Sequence, residues 1–475
     1  MSKSQAADRP RQHPTSGPPG TRASAAESKT AEPVDLRRWQ LFFLAAAVFV
    51  VSAGYGSLLP LLPAWLAQQA PGSSPADVAR HVGFLSGAYT AGVLIGAPLW
   101  GLISDRMGRK RILVAGLVGY VASLLMLLAL PPAGSLWAIY GLRAAAGLFV
   151  AAVVPIVPAL IAAHTPKALR ARRFAWLGAA SLLGFLFGPG LIAIAHALAP
   201  LFGSAAAKVA VSTQIVIVLS ALLGASMMLG LALTLPAQEE VAKDERSEPA
   251  APGAASFAAL WWLSIAVNFV LASFELGIVL QGKQHAELST QGVAMIFAEC
   301  ALVMLGINAV LFFTALLGKV SSRLVLAAGS LIGLSGLALL ALHGSPTWMY
   351  VGVSITAAGT GLVLPVISFL AAGAAHRKLG ATMGGLAAAS ALGQTLGSAA
   401  GGWLFGILAQ LSFAWLALPL LLTLLLPLLR GAKWGAAGAR PTAPVKKGTV
   451  RRDPSIAIAQ LSDATKRLPT RTNKA

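Results

Sequence analysis

The chain has 475 residues, 56% of them hydrophobic and 11% charged, with a formal net charge of +20. A soluble chain of this length needs roughly twice that charged share to cover its surface, so the solvent around most of it must be apolar, which means lipid. The Lys and Arg residues fall in tails and short connectors without a nucleic-acid motif, no Cys/His cluster has metal-ligand spacing, and no GxxxxGK[ST] phosphate loop occurs. Nucleic-acid partners, a metal, a cofactor, enzymatic chemistry and direct nucleotide-driven pumping all lack a basis. The single cysteine, Cys300, lies in an apolar run and reads as a packing residue.

Residues 1–38 are polar and rich in Ser, Ala, Pro and charge, which predicts a disordered N-terminal tail. A signal peptide would place its apolar core much nearer the start. Apolar runs follow at Trp39–Leu66, Val82–Ser104, Ile112–Leu130, Leu136–Ala162, Phe174–Leu198 and Val209–Leu235. A polar linker, 236–256, separates them from Phe257–Gln281, Val293–Leu317, Leu324–Leu342, Trp348–Ala374, Ala381–Leu408 and Phe413–Leu429. Each run supplies the roughly 20 helical residues that a bilayer core requires. The expectation is an all-α integral membrane protein of twelve transmembrane helices, with six-helix halves at 39–235 and 257–430. Residues 431–475 form a basic tail that can touch anionic lipid headgroups.

Orientation follows from the basic residues. With both tails inside, the inner segments hold 32 of the 36 Lys and Arg residues, while the outer loops hold Arg80, Lys208 and Lys283. The positive-inside rule then puts both termini in the cytoplasm. The halves also repeat. Residues 177–188 (LGAASLLGFLFG) and 386–397 (LAAASALGQTLG) agree at seven of twelve positions, and Pro155-Ile-Val returns as Pro365-Val-Ile at nearly the same offset. That pattern implies two parallel six-helix repeats with a pathway at their interface.

The most specific segment is Gly101-Leu-Ile-Ser-Asp105-Arg106-Met-Gly108-Arg109-Lys110-Arg111, at the inner end of the second span. It places one carboxylate among four cations in a tight turn, where Gly108 permits unusual backbone angles. Asp105 can pair with Arg109 or face a helix N-terminus, and a turn that only fixes topology accounts for the cations equally well. The segment, with Gly54-Tyr-Gly-Ser-Leu-Leu-Pro60-Leu-Leu-Pro63 in span 1 and Arg143-Ala-Ala-Ala-Gly147 in span 4, resembles the major facilitator superfamily and its drug:proton antiporter branch. The resemblance implies alternating access, with a gating motif at Gly101, Asp105, Arg106, Gly108, Arg109 and Lys110. The second-half counterpart, Leu317-Gly318-Lys319-Val-Ser-Ser-Arg323, lacks the aspartate. In span 5, Gly184, Gly188 and Pro189 match the later half of the antiporter motif, but Ala175, Ile192 and Ala193 depart from it.

Gly184/Gly188 and Gly393/Gly397/Gly401 recur every four residues and predict smooth helix faces for close approach, with Pro189 adding a kink. Ionisable groups inside spans are costly and are functional candidates by default. Glu275, Glu299 and Arg143 each lie eight residues from a predicted outer end, roughly 12 Å deep at 1.5 Å per residue. A buried carboxylate can exchange protons or counter a cationic substrate. Glu275 is the leading proton or substrate site, Glu299 the second and Arg143 a charge partner, although Glu299 near a span start can also snorkel or cap its helix. Tyr55, Tyr89, Trp176, Asn268, Phe274, Asn308 and Gln394 offer an apolar wall with scattered polar groups. His81, His164 and His376 fall near span ends and read as interfacial. The expectation is a monomeric, proton-coupled exporter of small amphipathic molecules in the inner membrane. Metabolite uptake by symport or facilitated diffusion, and a non-transporting membrane sensor, are the alternatives.

Overall fold

A computed structural model describes residues 36–69, 72–130, 135–165, 167–202, 208–235, 254–284, 288–314, 320–374 and 379–429. The two tails, nearly all of the central linker, Gly318, Lys319 and His376 lie outside the described residues, as do the side chains of Asp105, Ala175 and Lys208.

The described chain is helical. It begins with α1 (Arg38–Gln69), α2 (Pro75–Met107), α3 (Arg109–Leu128), α4 (Leu136–Val150 and Val153–Ala163), α5 (Lys167–Phe202) and α6 (Lys208–Thr234). There follow α7 (Ala254–Gln284), α8 (Thr290–Thr314), α9 (Ser322–Leu342), α10 (Pro346–Ala374), α11 (Leu379–Leu408) and α12 (Ser412–Trp415 and Ala417–Leu429). Eleven stretches are long and apolar enough to cross a bilayer, and the last of them, Gly384–Leu425, holds two crossings. Ala409 turns the chain there with φ 49°. Gln410 then bonds to the Leu340 carbonyl (2.8 Å), while Thr423 meets Ser330 (2.8 Å), so α12 runs back along α9. Twelve crossings result.

Local chemistry sets the ends and breaks. Ser74 caps α2 by accepting from the Asp77 amide (3.1 Å), with Pro75 in the first turn, so α2 starts seven residues before its apolar run. A proline clashes with the carbonyl four residues back. Pro155 accordingly coincides with the break at Ala151–Ala152 in α4, and Pro60 lies within the tightened turn Leu59–Leu61 in α1, with Pro63 just after it. Pro189 and Pro365, by contrast, sit within continuous helices. Gly108 joins α2 to α3 by itself, at φ 91° and ψ 136°, a conformation that a side chain would strain.

Large apolar side chains such as Trp137 (84% exposed) and Phe313 (83%) cover the outside, as expected where the surrounding solvent is hydrocarbon. Lipid tails are as apolar as leucine, so cohesion must come from close approach and interhelical hydrogen bonds. The repeat supplies both twice. Gly184 and Gly188 bring α5 against the backbone of α1 at Phe49 and Gly56, and Gly393, Gly397 and Gly401 bring α11 against α7 at Ile265, Phe269 and Ser273. Ser52 meets Ser181 across the first pair (2.9 Å), and Ser264 meets Ser390 across the second (2.9 Å).

The two ends of the bundle differ. The end carrying the 106–111 turn is the basic end, and the other is the far end. Toward the far end one buried cluster unites helices of both repeats, with Leu61, Trp65, Leu85 and Ile139 in the same core as Phe274, Phe297, Leu337 and Phe413. Toward the basic end that core divides. Leu44, Leu113, Val157 and Leu231 form one cluster, and Leu263, Leu326, Val363 and Ile367 form another. Close α2–α11 packing at Ala79, Gly83 and Gly402 also lies toward the far end. Among the described residues the buried core joins the two repeats toward the far end and falls into one cluster per repeat toward the basic end.

Candidate functional site

Four ionisable or hydroxyl-bearing side chains from four helices form a line through the joined core. Arg143 of α4, 3% exposed, lies with its guanidinium 4.8 Å from the centre of the Tyr89 ring of α2. A desolvated cation on an aromatic face gains on the order of 2 kcal/mol. Tyr89 stacks on Tyr55 of α1, with ring centres 5.5 Å apart and planes at 30°. The Tyr55 hydroxyl donates to Oε2 of Glu275 on α7 at 3.4 Å. Phe185 of α5 backs Tyr55 on another side at 6.2 Å, and Phe297 of α8 meets Phe185 at 5.8 Å. The sequence marks Glu275 and Arg143 as charges in apolar runs. The structure places two tyrosines between them rather than a direct ion pair.

No side chain of the described residues bonds to Arg143 Nε. A void of about 10 Å³, room for about one water, lies beside the guanidinium among Leu58, Trp65, Leu127 and Thr213. Asp77 and Arg80 form an ion pair at the exposed start of α2.

Glu299 takes a different position. Its Oε1 accepts from Ser354 of α10, so it bridges two helices of the same repeat, and its Oε2 is buried with no hydrogen-bond partner among the described residues. Ser354 was not legible as a partner, because nothing in its own surroundings in the sequence distinguishes it. Asn268 is buried and satisfied, donating to the Ser264 carbonyl (2.9 Å) and accepting from Gln394 (3.2 Å). These two amides therefore join α7 to α11, one turn beyond the Ser264–Ser390 pair. Phe274 is fully buried, Trp176 is exposed, and Asn308 bonds back to Met304 of its own helix.

At the basic end, the cations of the motif reach helix termini of their own repeat. Arg109 donates to the Ala159 carbonyl one turn before the end of α4 (3.4 Å), and Lys110 donates to the Leu235 carbonyl at the end of α6. Terminal carbonyls such as that of Leu235 lack intrahelical donors and carry the negative end of the helix dipole, so a cation caps them. Gln40 caps the adjacent Thr234 carbonyl (2.9 Å). Arg106 is exposed in the last turn of α2, and Gly101 has open space beside it. His81 bonds Tyr140 (2.7 Å) near the far end, while His164 bonds the Leu160 carbonyl near the basic end.

Residues 44–321 match the Major Facilitator Superfamily, over more than half of the chain. The chain belongs to that superfamily. It is a multi-pass membrane transporter of this family, whose members act on small molecules. A class D tetracycline resistance protein of Salmonella ordonez is 29% identical over 341 residues, covering 70% of this chain and 80% of that protein. The quinolone resistance protein NorA of Staphylococcus aureus is 29% identical over 153 residues, which span 32% of this chain and 37% of that one. These relatives bear out the likeness to the drug:proton antiporter branch. The crystal structure of a D-xylose-proton symporter shares the fold, with a TM-score of 0.66 at 15% identity over 84% of this chain and 99% of that one.

Proposed function

We propose that this superfamily member is a proton-coupled exporter of small amphipathic compounds, with Glu275 as the carboxylate that carries the proton. The observation behind this reading is the seat of Glu275. Among the described residues it is an acidic side chain that meets the opposite repeat, through Tyr55, in the core joining the repeats at the far end. A carboxylate there changes surroundings whenever the seal opens, and alternating access needs a group of that kind.

In this reading residues 39–235 and 257–430 rock as two bodies, the basic end faces the cytoplasm with both termini, and the membrane is the inner one. The conformation is then closed outward. Arg109 and Lys110 hold the inner ends of α4 and α6 to the 106–111 turn, and Asp105 completes the gate. The aromatic group of Tyr55, Tyr89, Phe185 and Phe297 suits a flat, lipophilic substrate better than a sugar, which needs dense hydrogen bonding. The resistance proteins among its relatives favour export. Glu299 is a second carboxylate whose Ser354 bond lies within one repeat, and Arg143 holds the aromatic stack.

The test is reconstitution of the monomer in proteoliposomes with an imposed pH gradient and a panel of cationic, neutral and anionic compounds. Accumulation against the proton gradient is expected for amphipathic compounds and is lost in Glu275→Gln. A panel that moves only with the proton flow would make the protein a symporter.

A further inference from the structure

The Tyr55–Glu275 bond joins the two repeats. On one side Tyr55 is held firmly by its own repeat. The Ser52–Ser181 bond and the Gly56–Gly188 backbone contact lock α1 to α5 on either side of it. Tyr89 and Phe185 flank the ring, and Arg143 holds Tyr89. What projects across the interface is the hydroxyl. The corresponding place in the second repeat, one turn beyond Ser264, is Asn268, and its amide is used up within that repeat by Ser264 and Gln394. The crossing is therefore one-sided.

We infer that Tyr55 is the positioning residue that makes proton binding at Glu275 depend on conformation, because its hydroxyl and a proton compete for the same carboxylate oxygen. This rests on the proposal that Glu275 is the coupling site. When the far end parts, the arm built on α1, α2, α4 and α5 withdraws from α7, and Oε2 is left to take a proton from the far side. When the far end seals, the Tyr55 O–H returns to Oε2 and the proton departs toward the basic end. Tyr55 keeps its phenolic proton throughout, so one proton enters and one leaves. Tyr89 and Arg143 on the first repeat lie within electrostatic reach of Tyr55, and Cys300 on α8 lies within reach of both Glu275 and Glu299. The Glu299–Ser354 bond joins two helices that move together, so Glu299 gains no conformational dependence from it.

Three proteins distinguish the possibilities in proteoliposomes with ethidium as the probe: the unaltered chain, Tyr55→Phe and Glu275→Gln. Two quantities are read, ethidium counterflow without a pH gradient and accumulation driven by one, with proton movement followed by an entrapped pH dye. Tyr55→Phe, which keeps the ring and removes the hydroxyl, is expected to lose at least fivefold more in driven accumulation than in counterflow, and to lose the accompanying proton movement in step. Driven accumulation within twofold in Tyr55→Phe, with Glu275→Gln inactive, overturns this inference and leaves the coupling site standing. Equal loss of counterflow and drive in Tyr55→Phe also overturns it, since that marks a merely structural tyrosine. Full drive in Glu275→Gln removes the coupling site itself.

Discussion

Gly188→Ala should weaken the α1–α5 joint by about 1–3 kcal/mol, the usual cost of overpacking. A β-carbon at Gly188 would lie 2.6 Å from the Gly56 carbonyl carbon and 2.7 Å from the Ser57 nitrogen. Favourable carbon contacts begin near 3.5 Å, so α5 must retreat by about 1 Å, and the obstacle is backbone that cannot swing aside. Helix propensity alone predicts the reverse, since alanine is better than glycine inside a helix by about 1 kcal/mol. Gly178, on the same helix, is exposed with nothing within 4 Å of such a carbon, so Gly178→Ala isolates the propensity effect. The assay is thermal unfolding in detergent, read by the monodisperse fraction after heating. Gly178→Ala should match or exceed the parent and Gly188→Ala should fall below it. Gly397→Ala should fall likewise, because its added carbon would lie 2.8 Å from the Phe269 Cα. Equal stability of Gly188→Ala and Gly178→Ala would refute the close-approach argument.

A double-mutant cycle on Ser264 and Ser390, read by the same unfolding assay, should return a coupling near 0.6 kcal/mol, the average for hydrogen bonds between membrane helices. Glu299→Gln should keep pH-driven accumulation within twofold of the parent in proteoliposomes, because its Ser354 partner rides on the same body. Lys110→Gln should loosen the end of α6 at Leu235 and raise the rate of proteolysis in the 236–253 segment several-fold, with the cap worth about 0.3–1 kcal/mol. In a Cys300→Ala background, Met107→Cys and Trp137→Cys, both exposed, should react with an impermeant thiol reagent from opposite sides of the membrane.

The crossings were legible because a bilayer imposes a coarse requirement, about 20 apolar residues per helix, that any twelve such runs announce. Helix ends were less so. The start of α2 depends on the Ser74–Pro75 cap, which precedes the apolar run, whereas the expected break between Leu408 and Phe413 falls where Ala409 turns the chain. Arg143, Glu275 and Glu299 stood out as charges in hydrocarbon. Their partners did not, since Tyr55, Tyr89 and Ser354 acquire meaning from register between helices far apart in the chain. One partial signal existed: Ser181 and Ser390 are identical within the repeat, and both prove to be interhelical donors or acceptors.

The perch of Arg143 on Tyr89 has a consequence for any cycle in which acids gain and lose protons nearby. Had the guanidinium rested on a carboxylate, each protonation would have abandoned a bare cation in hydrocarbon. An aromatic face offers attraction that no proton can cancel. The positive end of the line keeps its footing through the whole cycle, and the changes of valence are confined to the acidic end.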